Sequence, residues 1–134
     1  MEKETPVFEY SNVGFPGLNI IKIRMYEDGI LQFEKFEDIE PDIRKEFKIP
    51  QEQVKDYAER LIQSGFFDLD DEYSPFFPIL DGSRESINLN YQGRSKSVIC
   101  ENSPLPSEKV RDIIDELGDL VTQLLKVPPS LLEF

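Results

Sequence analysis

The sequence predicts an α+β domain, because two hairpin-like stretches with one apolar face each alternate with two helix-like stretches carrying one apolar stripe each. The order along the chain reads ββαββα. A four-stranded, mainly antiparallel sheet with both helices on one face buries all four apolar surfaces together. Val7–Tyr10 offers a fifth strand at the N-terminal edge.

The first hairpin runs Asn19–Tyr26, then Glu27-Asp28-Gly29, then Ile30–Glu37. A two-residue loop would oppose Arg24 to Phe33 and mix polar with apolar on both faces. A three-residue loop opposes Met25 to Leu31 and Ile23 to Phe33, and on the other face Arg24 to Gln32 and Lys22 to Glu34. Only the second separates the faces, and it places Gly29 where a type I turn with a bulge needs a left-handed residue. The second hairpin, Glu85–Tyr91 and Arg94–Glu101, works with a two-residue Gln92-Gly93 loop. Ile87 then faces Val98, and Leu89, Tyr91 and Cys100 share that side. Arg94 and Lys96 fall on the same side near the turn, with stems along the core and heads reaching water.

Helix one is predicted from Pro50 or Gln51 to Ser64, with Gly65 as its stop. Val54, Tyr57, Ala58, Leu61 and Ile62 form its stripe. Helix two is predicted from an N-cap at Ser107 to Lys126, ended by Pro128-Pro129. Its stripe is Val110, Ile113, Ile114, Leu117, Leu120, Val121, Leu124 and Leu125.

One domain spans 1–134, with an ordered core over about 6–126 and an apolar tail over 127–134. Ten Phe and five Tyr are enough to fill a core, while charged residues at 31% and no apolar run near the roughly 20 residues of a membrane span argue against a membrane protein. Met1 is followed by Glu2-Lys3-Glu4 and not by an apolar stretch, so no secretory signal is read. A lone cysteine, Cys100, forms no internal disulfide; it fits a reducing compartment, the cytoplasm, and reads as a small buried hydrophobe.

Histidine is absent. That removes Ser-His-Asp and Cys-His catalysis and His-ligated zinc. A net charge of −12 makes nucleic acid and anionic membrane poor partners and leaves a basic protein surface electrostatically open. Neither a Gly-rich phosphate loop nor a nucleophile elbow occurs, and no cofactor is expected.

Five features stand apart. Asp68, Asp70, Asp71 and Glu72 resemble the start of a calcium loop, but Tyr73 stands where the turn glycine belongs, so no metal site is expected there. Tyr73–Gly82, with Tyr73, Phe76, Phe77 and Asp81, is dense in aromatics and proline; it either caps the core or forms a partner surface. The outer face of helix two carries Glu108, Asp112, Asp115, Glu116 and Asp119 in like-charge i, i+4 pairs, which cost helix stability and hint at a basic partner. The tail, 127–134, is too apolar to be idle; it docks on its own domain or meets a second copy of the chain. The polar sheet face, with Lys22, Arg24, Tyr26, Gln32, Glu34, Phe36, Asn88 and Asn90, faces solvent or another subunit.

Phe15-Pro16-Gly17-Leu18, the turn Tyr26-Glu27-Asp28-Gly29-Ile30, Gly65-Phe66-Phe67-Asp68-Leu69, Tyr73 and Asp81 together resemble a family of small bacterial domains of unknown function. The likeness covers roughly residues 6–125. It implies a hairpin turning at Asp-Gly, a helix, an aromatic loop, a second hairpin and a closing helix. In that family the first hairpin is opened by Cys-Pro, and here Phe15 stands in the cysteine's place. The family carries no activity to transfer.

Two functional readings follow. The first is a non-enzymatic protein-interaction module using Tyr73, Phe76, Phe77, Asp81, Asp112, Asp115 and Asp119. The alternative is a small-ligand-binding domain or carboxylate-based enzyme with its pocket under the 73–82 loop.

Overall fold

The computed structural model describes residues 5–14, 19–37, 42–74, 83–102 and 107–125. Their elements run β1 (Phe8–Gly14), β2 (Asn19–Met25), β3 (Ile30–Glu37), β4 (Ile43–Lys48), α1 (Gln51–Gln63), a 3₁₀ turn (Phe66–Asp68), β5 (Glu72–Tyr73), β6 (Ser83–Tyr91), β7 (Arg94–Glu101) and α2 (Glu108–Leu125). The architecture is α+β, with two helices and one mixed sheet ordered β4-β3-β2-β1-β6-β7-β5. Among the described residues the expected four strands, with Val7–Tyr10 offered as a fifth, are therefore seven, and the order ββαββα gives way to four strands, a helix, three strands and a helix.

Both hairpin registers follow from separating polar and apolar faces. Met25 opposes Leu31, Ile23 opposes Phe33, and Lys22 opposes Glu34. The N–H of Tyr26 donates to the carbonyl of Ile30, which closes a three-residue loop with Gly29 at φ +95°. In the second hairpin Tyr91 opposes Arg94 and Ile87 opposes Val98. Gln92 and Gly93 both take positive φ, as a two-residue hairpin of type I′ requires.

The expected N-terminal edge strand is instead central. β1 pairs antiparallel with β2 on one side and with β6 on the other, so it joins the two hairpins into one sheet. Phe8 and Tyr10 are buried between Met25 and Leu89 and between Ile23 and Ile87 respectively. An edge position would leave one row of β1 backbone groups unpaired; the center pairs both rows. At one end of the sheet, β4 is a charged strand, Ile-Arg-Lys-Glu-Phe-Lys, pairing with β3. At the other, β5 pairs in parallel with β7 over two residues.

One side of the sheet carries the core. Phe8, Tyr10, Ile23, Met25, Leu31, Phe33, Ile87, Leu89, Val98 and Cys100 share it and pack with the stripes of both helices in one cluster. α1 contributes Val54, Tyr57, Ala58 and Leu61, and stops at Gly65. α2 contributes Val110, Ile113, Ile114, Leu117 and Val121, with Gly118 and Thr122 buried among them. Ile62, Leu120, Leu124 and Leu125, expected in the stripes, are partly buried at its margin. Ser107 caps α2, its hydroxyl accepting the Val110 N–H at 3.2 Å. Among the described residues no helix is long and apolar enough to cross a membrane.

Candidate functional site

Strand parity puts one charged residue on the apolar side of β6. Glu85 lies in line with Ile87 and Leu89 and opposite Cys100 and Asn12. It is 8% exposed. A carboxylate so placed needs partners, since burying an unpaired charge costs several kcal/mol. Arg111, in the first turns of α2, supplies a two-pronged one: its Nη2 donates to Oε1 at 2.5 Å and its Nη1 to Oε2 at 2.8 Å. Tyr10 donates its hydroxyl to Oε2 at 2.5 Å, and Asn12 Nδ2 donates to the Tyr10 oxygen at 3.2 Å.

These contacts set the protonation states. Burial, then the Glu85 charge and hydrogen bond, push the Tyr10 hydroxyl far above the ordinary tyrosine range. The Glu85 hydrogen bonds push Arg111 up as well, so it stays a cation. Burial raises the Cys100 thiol, and Glu85 adds to the effect. Among the described residues every buried side-chain nitrogen and oxygen has a partner. The group holds a carboxylate, a neutral phenol and a guanidinium locked on one another, with neither a free base nor a free nucleophile. Its evident work is to tie α2 to β1 and β6.

The residues singled out from sequence fall elsewhere. Asp112, Asp115 and Asp119 lie exposed on the outward side of α2, and no ion pair engages them among the described residues. Glu116 lies exposed in the same stretch but is bound: Arg60 of α1 grips both its oxygens, at 2.9 and 2.6 Å. Those hydrogen bonds lower the Glu116 carboxyl and raise Arg60. Tyr73 is half-buried in β5, and its hydroxyl accepts the Asp70 N–H at 2.8 Å. Phe76, Phe77 and Asp81 lie outside the described residues, as does the tail over 127–134. No described hydrogen bond or ion pair joins Tyr73 to the three aspartates.

The acidic run after α1 is not one loop. Asp68 ends the 3₁₀ turn, Glu72 begins β5, and Asp71 takes the Lys96 ammonium at 2.7 Å. On the side of the sheet away from the helices, charges alternate across strands. Arg24 bridges Glu9 and Glu34 at 2.5 and 2.6 Å, and Asn88 and Gln32 extend the network to Glu9 and Glu46. Phe36 lies there beneath the Arg44 guanidinium. Of the residues expected on the polar face, Arg24, Glu34 and Asn88 thus share one network through Glu9, while Tyr26 donates its hydroxyl to Gln32 at 3.2 Å and is itself buried rather than open to solvent.

Sequence reading missed the Tyr10–Glu85–Arg111 group, although its signal was present: an acid at the parity of Ile87 and Leu89 demands a buried partner. Compared with models of known protein families and with curated proteins, the chain matches none.

Proposed function

We propose that this chain is a non-enzymatic interaction module of the cytoplasm that docks a basic protein surface on the outward side of α2. The observation that carries the reading is the contrast within one helix: Glu116 is spent on Arg60, while Asp112, Asp115 and Asp119 stand exposed and unpaired among the described residues. Asp115 and Asp119 are a like-charge i, i+4 pair, which costs a few tenths of a kcal/mol that helix stability alone would not choose. The buried polar group supports the same reading, because its carboxylate and cation are consumed by each other. In this reading Tyr73, Phe76, Phe77 and Asp81 extend the surface, and a second copy of the chain docks through 127–134. The likeness to small bacterial domains of unknown function bears on fold alone.

The test is capture from native extract with the parent chain and with D112K/D115K/D119K, at low and high salt. None of the three positions is buried, so the variant keeps its fold, checked by its circular dichroism and melting temperature. Basic proteins held by the parent at low salt are lost in the variant, and the difference shrinks at high salt, where the charges are screened. Equal capture by both chains reduces the three aspartates to a solubility face. A small molecule that stabilises both chains regardless of salt would favor the pocket reading.

A further inference from the structure

Residues 67–73, after α1, are fastened to the edge of β7 by two side chains near the Gln92-Gly93 turn. Lys96 and Arg94 sit at the parity of the core residues Val98 and Cys100. Lys96 is only 15% exposed, and its ammonium reaches sideways to the Leu69 carbonyl at 2.5 Å and the Asp71 carboxylate at 2.7 Å. The Arg94 guanidinium stacks 3.9 Å from the center of the Phe67 ring. Backbone contact is slight: β5 spans two residues in parallel pairing, and the Ile99 N–H donates to the Asp71 carbonyl at 2.8 Å. At the other end Phe66 is fully buried in the core.

We infer that Lys96 and Arg94 form a latch, and that the segment 67–73 lifts from the β7 edge as a unit about its anchor at Phe66. Two paired residues contribute too little to hold a strand alone, since short parallel pairing gains less per residue than antiparallel. Phe67, Leu69 and Tyr73 add partly buried contacts at the margin of the core, and the two cationic side chains fasten the segment to β7 itself. Lifting frees the outward backbone of β7 around Ile99, the kind of sheet edge that takes up an extended strand. Lys96 is a positioning residue here, acting through Leu69 and Asp71. Asp71 is 86% exposed, so salt screens its share of the latch, whereas the contact with the Leu69 carbonyl is sheltered. This inference is independent of the docking role of α2.

Backbone hydrogen exchange in the full chain tests it. The Ile99 N–H points to the segment, and by the alternation of an antiparallel ladder those of Val98 and Cys100 point to β6. In K96M, which keeps the apolar stem, Ile99 exchange speeds by about tenfold or more while Val98 and Cys100 hold their rates. K96R, which keeps the cation, retains most of the Ile99 protection. In the parent chain, raising salt from about 0.01 M to about 1 M shortens the Debye length from roughly 30 Å to roughly 3 Å and speeds Ile99 by a smaller factor. An Ile99 rate indifferent to K96M and to salt overturns the latch. So does acceleration of Ile99, Val98 and Cys100 in step, which would make Lys96 a contributor to global stability alone.

Discussion

Tyr10 and Glu85 sit two residues out of direct register on adjacent strands, yet the tyrosine hydroxyl donates to the carboxylate at 2.5 Å because Arg111 pins the acid from the other side. The bond joins β1 to β6, and the grip of Arg111 on the same carboxylate carries the tie on to α2. Removing its donor leaves a nearly buried carboxylate with one partner fewer. Y10F is expected to destabilise the fold by about 1–3 kcal/mol, the cost of losing a hydrogen bond to a charged group. Glu85→Ala, which strands Arg111, is expected to cost more, roughly 3–5 kcal/mol. Urea unfolding of the two variants measures both, and equal, negligible costs would mean that the group is not a structural tie.

The same burial makes a pH prediction. Tyr10 is raised chiefly by desolvation, so the folded state holds its proton where the unfolded chain, with a tyrosine near pH 10, releases it. The contribution is fully present below about pH 10 and is lost as pH rises toward the higher folded value. Between those two values stability falls by up to about 1.4 kcal/mol per pH unit for this group, and the slope flattens once the folded state has also lost the proton. Tyr26, Tyr57 and Tyr91 are also raised by burial and add to the decline. In Y10F the alkaline slope is expected to be shallower than in the parent, and identical slopes would remove Tyr10 from the account.

Gly29 answers a second constraint beyond its turn. Its carbonyl accepts the Ile49 N–H at 2.8 Å, and a Cβ at Gly29 would overlap the Ile49 carbonyl oxygen. The turn is thereby clamped to the link between β4 and α1. Gly93 also has positive φ but opens on empty space. Gly93→Ala should cost about 1–2 kcal/mol, the left-handed penalty alone, and Gly29→Ala clearly more. Melting temperatures of the two variants compare them directly; equal losses would mean that the Ile49 contact yields freely.

What the sequence disclosed, and what it hid, follows from how local each signal is. The hairpin registers were legible because only one pairing separates Ile23 and Phe33 from Lys22 and Glu34. The helix stripes were legible because Val54 to Leu61 and Val110 to Val121 repeat at helical spacing. The place of β1 was not, because Phe8 and Tyr10 announce a strand without naming its neighbours, and pairing with β6 is a contact across about half the chain. β4 was hidden by its charges, with Ile43 and Phe47 alone marking the core side. β5 is too short for any periodicity. Of the candidate surface, the exposure of Asp112, Asp115 and Asp119 was readable from the stripe they avoid, whereas the capture of Glu116 by Arg60 depends on how the helices cross.

Cys100 is expected to be inert in the folded chain. It is 2% exposed between strands, and burial raises its thiol, so the reactive thiolate is scarce as well as shielded. A thiol reagent should label it at the rate of structural opening and much faster in denaturant. Rapid labelling under native conditions would show that β7 opens far more readily than its packing implies.

Arg60 and Glu116 offer the sharpest division of the acidic surface. Their two-pronged contact joins α1 to α2 at the surface, with side chains 35% and 51% exposed, so solvent screens much of it. A double-mutant cycle of Arg60→Ala and Glu116→Ala is expected to give a coupling of about 0.2–1 kcal/mol. The Glu116 carboxyl is lowered, first by its hydrogen bond to Arg60, so its contribution is present above the unfolded glutamate value and is lost as pH falls through that value and below. The coupling should therefore vanish in acid and in high salt. Asp112 paired with Arg60 in the same cycle should show no coupling at any pH, because no described contact joins them. If Glu116→Ala weakens partner capture as much as D112K/D115K/D119K does while its stability cost is small, then the partner competes for Glu116 and the acidic surface is wider than the three aspartates.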